Sequence, residues 1–316
     1  MHVEHPLYPV SQSREEGTLK VSSLHTLHYA LYGNPQGMPV IVLHGGPGYG
    51  CTDSISRFFD PERWNVVMFD QRGAMRSQPL GCMEENSTQH SIQDIETLRK
   101  HLHIDRWFVF GGSWGSTLAL LYGQEFPERC LGFILRGIFL ARRADYLHLF
   151  QGMGKIFPEA YERLVQAIPE EERRDLFEAY YRRIFDSNPE IQRQAMREFM
   201  LYDTICATHL PQPEMIEAIQ RNDSIAFSTS KAFFHYCKHD FFIEPNQILS
   251  RMDRISHLPS IIVHGRWDAI CLPDMAFSLH RTWNNSLLWM IDDGGHSSND
   301  PAIAQALATA TDQLLH

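Results

Sequence analysis

Three residues able to share one reaction stand in three separate glycine-bearing loops. Ser113 lies in Gly111-Gly112-Ser113-Trp114-Gly115, a G-x-S-x-G pentapeptide. The apolar run Trp107 to Phe110 precedes it, and the helical pattern Ser116 to Tyr122 follows. A turn this tight between strand and helix forces the serine into a strained backbone, and only glycine is small enough at positions 111 and 115. The hydroxyl is then held above a sheet, beside a helix N-terminus. A serine nucleophile also needs a base and a group that orients the base. Asp268 ends Gly265-Arg266-Trp267-Asp268, and His296 sits in Asp292-Asp293-Gly294-Gly295-His296-Ser297. Each follows a strand-like run. Asp268 is expected to fix the imidazole tautomer, and His296 to move the serine proton. Asp292 and Asp293 are the rival acids. Singly, such an Asp reads as a helix cap and such a His as a core or surface residue.

A developing oxyanion requires fixed N–H donors. The Trp114 N–H is one. The other is expected from His44-Gly45-Gly46-Pro47-Gly48, which follows the run Val40 to Leu43. Gly45 or Gly46 can donate, with Gly46 preferred. These glycines do not spell a dinucleotide-binding loop, and no G-K-[ST] follows. Asp70-Gln71-Arg72-Gly73 reads as a structural turn below the site. His235, Cys237, His239 and Asp240 lack the spacing of a zinc site and read as helix residues. No metal is expected. Cys271, three residues beyond Asp268, reads as a buried thiol near the serine.

These loops need a sheet to carry them. Leu19 to Val21 and Leu27 to Tyr32 read as a strand pair. The runs Val40 to Leu43, Val66 to Phe69, Trp107 to Phe110, Leu131 to Leu135, Ser260 to His264 and Leu287 to Ile291 read as further strands. Those without alternation suit a parallel sheet buried on both faces. Ser91-Ile92-Gln93-Asp94 resembles a capping box opening a helix to about His101. A second helix runs from Ser113 to Phe126-Pro127, and a last one from Pro301 to about Leu315. Residues 141–240 show helical spacing, as in Leu176-Phe177-Tyr180-Tyr181-Ile184, with breaks at Asn188-Pro189, Pro211-Gln212-Pro213 and Asn222-Asp223. The expected organisation is a sheet core over 1–140 and 241–316 with a helical cap over 141–240, placed above the strand ends.

The chain has 316 residues, 43% of them hydrophobic, and a formal net charge of −10. That charge argues against nucleic acid and anionic membrane surfaces as partners. The opening Met1-His2-Val3-Glu4-His5-Pro6 does not read as a leader, and no apolar run approaches the roughly 18 residues of a membrane span. Six scattered cysteines without a C-x-x-C pair suit free thiols in a reducing cytoplasm. Oligomeric state is not encoded in any motif.

The order Ser113, Asp268, His296 is that of an α/β-hydrolase, and the chain resembles the proline iminopeptidases of that superfamily. The resemblance rests on His44 to Gly48, Phe69 to Gly73, Gly111 to Leu120, Leu135 to Leu140, Gly265 to Asp268 and Gly295 to Ser297. It implies an α/β-hydrolase fold, a mostly parallel central sheet with an inserted helical cap. It further implies a cofactor-free serine exopeptidase that releases N-terminal proline from small peptides through an acyl-enzyme. In such enzymes acids in the cap hold the free amino end of proline. Asp203 stands in one of those places, and Phe233 stands in the other, where the family carries an acid. Met75 stands where the family favours glycine. Phe139 and Phe150 either wall a proline pocket or pack in the core. The alternative activity is hydrolysis of small esters or amides with altered cap specificity. A different class, a catalytically silent ligand-binding protein, would leave Ser113, Asp268 and His296 without a use.

Overall fold

The computed structural model describes residues 7–209, 213, 216, 217 and 223–315. The opening segment Met1 to Pro6 and the expected breaks at Pro211, Gln212 and Asn222 lie outside the described residues. Eight strands form one sheet in the order β1-β2-β4-β3-β5-β6-β7-β8. They are β1 (Glu15–Lys20), β2 (Thr26–Gly33), β3 (Met38–Leu43), β4 (Trp64–Asp70), β5 (Trp107–Ser113), β6 (Cys130–Ile138), β7 (Ser260–Gly265) and β8 (Ser286–Ile291). β1 pairs antiparallel with β2, with Leu19 opposite Leu27, and β2 pairs antiparallel with β4. The remaining neighbours are parallel.

Alternating side chains feed two cores, as strand geometry requires. Ile41, Leu43 and Val109 join Leu118, Ile92 and Ile95 on one face. Val40, Val42, Phe108 and Phe110 join Phe58, Ile303 and Leu307 on the other. On the first face lie α1 (Thr88–His101) and α2 (Trp114–Glu125). The capping-box expectation at Ser91 is corrected here. Ser87 is the N-cap, accepting the His90 N–H, and the helix starts about one turn earlier than expected. Ser91 is buried inside it, its hydroxyl bonded to the Tyr236 hydroxyl at 3.3 Å. β8 also differs from the strands buried on both faces. As the edge strand it leaves Leu287 exposed.

Between β6 and β7 the chain forms α3 (Arg143–Gln151), α4 (Pro158–Gln166), α5 (Leu176–Ile184), α6 (Pro189–Ala207) and α7 (Asp223–Lys238). α6 shows why these residues fold so. Asn188 caps it by accepting the Glu190 N–H, Pro189 takes the first helical position, and Ala195, Met196, Phe199, Met200 and Cys206 form its buried stripe. Two helices complete the sheet's flanks: α8 (Pro273–Arg281) and α9 (Pro301–Gln313). Among the described residues no helix is long and apolar enough to cross a membrane.

Candidate active site

Ser113 ends β5 and caps α2, with φ 58° and ψ −129°. No ordinary residue adopts that backbone without strain. The glycines beside it have a measurable reason. A Cβ on Gly111 would sit 2.2 Å from the Gly115 carbonyl oxygen, and one on Gly115 would sit 2.0 Å from that of Leu43.

His296 and Asp268 meet directly. The His296 Nδ1–H donates to Asp268 Oδ2 at 2.8 Å. The other Asp268 oxygen accepts the Ile270 and Cys271 N–H groups at 3.1 and 2.8 Å. Burial alone would push this carboxyl up, but the facing His296, then His264 and the Cys271 N–H, bring its pKa below the usual carboxylate range. His264 is fully buried. Its Nδ1 accepts the Ile138 N–H at 3.1 Å and its Nε2–H donates to the Cys271 carbonyl at 2.9 Å. Burial lowers its pKa, so it supports Asp268 as a neutral ring. Asp292 and Asp293 turn away. Their side chains are 87% and 89% exposed, beside Arg266 and His209 respectively.

Ser113 and His296 line one cavity of about 210 Å³, together with Gly45, Gly46, Tyr49, Arg136, Phe139, Asp203, Phe233 and Cys271. Among the described residues no hydrogen bond joins Ser113 to His296. Ligand-free sites commonly hold such bonds long, and a substrate tightens them. Cys271 lines the same cavity as Ser113, and burial and the Asp268 charge keep its thiol protonated well above neutral pH. The Gly45 loop is pressed against the serine. A Cβ on Gly45 would come within 3.2 Å of Ser113 Cβ. Among the described residues neither the Gly45 nor the Gly46 N–H has a protein acceptor, and the Trp114 N–H opens a helix, where no intrahelical acceptor exists.

A buried network holds that loop. The Gln71 N–H donates to His44 Nε2 at 3.0 Å, Gln71 Nε2 donates to the His44 carbonyl at 3.0 Å, and Trp114 Nε1 donates to Gln71 Oε1 at 2.8 Å. The turn at Asp70 to Gly73 thus ties the Gly45 loop to the start of α2. Arg72 clamps Asp94 at 2.7 and 2.8 Å. His235 bonds the Asn86 carbonyl and Asp240 accepts the Tyr146 hydroxyl.

Asp203, on α6, enters the cavity, and among the described residues it forms no ion pair. Burial pushes its pKa up to about 6, against a smaller opposing pull from His296. α6 is docked by the Ser297 N–H, which donates to the Ala207 carbonyl at 3.0 Å. Phe139 and Phe233 line the cavity; Phe150 does not. Phe150 is 4% exposed, packed on Phe177, Phe199 and Phe234, so it belongs to the core among the helices and not to the cavity wall. Phe199 stands in the wall instead. Two further residues escaped the sequence reading. Gly137, at φ 52°, is the extra residue of a bulge between Gly112↔Arg136 and Ser113↔Ile138. A Cβ there would lie 3.2 Å from His296 Nδ1. Arg136, just before it, sends Nη1–H to the His296 carbonyl at 2.6 Å. A glycine two residues beyond the strand-like run Leu131 to Leu135 was the available signal for the bulge.

Strand order, elbow and loops define an α/β-hydrolase, and the alpha/beta hydrolase fold family matches residues 38–302. Solved structures agree on the fold: the proline iminopeptidase of Mycobacterium smegmatis superposes with a TM-score of 0.63 at 18% identity, covering 95% of this chain and 98% of that one. Sequence relatives are closer. A "Probable proline iminopeptidase" of Leptolyngbya boryana is 43% identical over 98% of this chain and 97% of its own length. The proline iminopeptidase of Arabidopsis thaliana is 40% identical over 98% of this chain and 82% of its own. The chain belongs to the proline iminopeptidase family.

Proposed function

We propose that the protein is a serine exopeptidase that releases N-terminal proline from small peptides. Ser113 Oγ attacks the carbonyl carbon of the first residue while His296 takes the hydroxyl proton. Asp268 holds the ring and balances the imidazolium. The Trp114 N–H and that of Gly46 or Gly45 stabilise the tetrahedral oxyanion. His296 then gives its proton to the departing amine as the C–N bond breaks. Water, deprotonated by His296, adds to the acyl carbon; the bond to Ser113 Oγ breaks as His296 returns the proton to that oxygen, and proline is freed. The helices between β6 and β7, over 141–240, act as the cap that encloses that residue. We place the reaction in the cytoplasm, a reading supported by six free thiols.

One observation carries the specificity: Asp203 is an enclosed carboxylate that forms no ion pair among the described residues, in the cavity that holds Ser113. A substrate with a free ammonium at that depth supplies the missing counter-charge. The relatives' names agree with that reading. Phe233 favours a second reading. An apolar ring where the family carries a second acid weakens the grip on an amine and suits small esters or amides. Initial rates on a panel of aminoacyl-naphthylamides and an aryl ester test both. Proline-naphthylamide is expected to exceed the other amides and the ester in kcat/KM; an ester preference would replace the first reading with the second. Ser113→Ala should abolish turnover of all of them, by on the order of 10^6-fold.

A further inference from the structure

Among the described residues Arg136 is a cation without an ion-pair partner. It lies at the end of β6 on the same sheet face as Ile134, and its guanidinium is seated over Gly112. A Cβ on Gly112 would fall 2.5 to 2.8 Å from three atoms of that group. Among the described residues one of its five donors is used, by the His296 carbonyl. No carboxylate of the described residues forms an ion pair with it. Asp268 and Asp300 act on it electrostatically, and Asp268 is already committed to His296. An enclosed charge left this way is costly unless a ligand completes it.

The ligand's place is the cavity itself. Arg136 and Asp203 both line it with Ser113, and they reach it from different elements, Arg136 from the end of β6 and Asp203 from α6. A negative group on one element and a positive group on another, with Ser113 in the same cavity, complement a short zwitterion. We propose that Arg136 receives the C-terminal carboxylate of a di- or tripeptide whose amino end faces Asp203. The inference rests on the peptide-cleaving reading above and gives it a substrate class: peptides short enough to bring both ends inside. The guanidinium fork grips a carboxylate with two parallel hydrogen bonds, which an amide cannot match.

The test compares Pro-Gly and Pro-Gly-Gly with their C-terminal amides on the intact enzyme. The free acids should be favoured in kcat/KM by roughly ten- to hundredfold, the worth of a charge-assisted bond. In Arg136→Gln that acid-to-amide ratio should fall to about one, and Arg136→Lys should keep only part of it. Equal cleavage of acid and amide by the wild type overturns the proposal. So does a ratio that survives in Arg136→Gln, because a residue that merely braced the His296 loop would lower both substrates together. Should Arg136→Gln not fold, the wild-type ratio and the lysine variant decide. If no prolyl substrate is turned over, inhibition of p-nitrophenyl acetate hydrolysis by glycylglycine and by its amide separates the two readings. Stronger inhibition by the acid keeps the carboxylate site and removes proline specificity; equal inhibition removes both.

Discussion

Asp268 spends both oxygens, one on His296 and the other on two backbone N–H groups. That leaves it rigid and ionised, as an orienting acid must be. Asp268→Asn should lower kcat by on the order of 10^4-fold, because the amide selects the wrong imidazole tautomer. Asp292→Asn, at an exposed carboxylate paired with Arg266, should change it less than about twofold. A reversal between the two variants in steady-state kinetics would reassign the acid. Asp203 makes a prediction of opposite electrostatic sign. Its folded pKa of about 6 lies above the unfolded value of about 3.9. The folded state therefore holds the extra proton between those values, and stability falls as pH rises from about 4 to about 6. Relative to Asp203→Asn, urea unfolding should show the wild type losing about 1–2 kcal/mol across that window, after allowing for cavity water. A difference independent of pH would mean that Asp203 is not held as an enclosed, unpaired acid. Much of this was legible in the sequence: Ser113, Asp268 and His296 announce themselves through glycine and strand ends. Gly137 and Arg136 did not, because their meaning depends on which residue of β6 stands opposite Gly112.

The same division between local and long-range information governs the elements. Strand runs and helix spacing are local, so the sheet and the helices between β6 and β7 could be read directly. The start of α1 was misplaced because Ser87 and Ser91 are both able to cap. What decides is tertiary: Ser91 faces Tyr236 across the interface with α7, leaving Ser87 to take the free N–H. Phe150 was ambiguous for a related reason. An aromatic residue on α3 can face either the cavity or the other helices, and its neighbours are Phe177, Phe199 and Phe234. Phe150→Ala should therefore behave as a core truncation, costing about 3–5 kcal/mol in chemical denaturation. Phe139→Ala, in the cavity wall, should instead raise KM for proline-naphthylamide. Were Phe150→Ala to raise KM while sparing stability, Phe150 would have to return to the substrate pocket.

At the scale of the whole molecule, the helices between β6 and β7 are tied to the sheet by buried polar bonds as well as by packing. Tyr236 donates to the Asn86 side chain at 2.9 Å, Ser228 donates to the Gly48 carbonyl at 2.9 Å, and the Ser297 N–H reaches the Ala207 carbonyl at 3.0 Å. Their aromatic core continues into that of the first sheet face, where Trp114 meets Tyr236 and Phe241 at 4.8 and 5.5 Å between ring centres. Releasing the helices alone would expose that shared surface and leave buried polar groups unpaired, so partial unfolding is disfavoured. The sequence supplies a way to test this. All six tryptophans, at positions 64, 107, 114, 267, 283 and 289, lie outside 141–240. Tryptophan fluorescence therefore reports the sheet portion and, through Trp114, its contact with Tyr236, whereas far-UV circular dichroism also reports the bulk of α3 to α7. Urea unfolding followed by the two signals should give coincident midpoints and a single transition. Tyr236→Phe, which removes the bond to Asn86, should shift both midpoints together by about 1 kcal/mol of stability. A dichroism transition that precedes the fluorescence change would show the helices to be an independently melting unit, joined to the sheet by the chain and not by the interface.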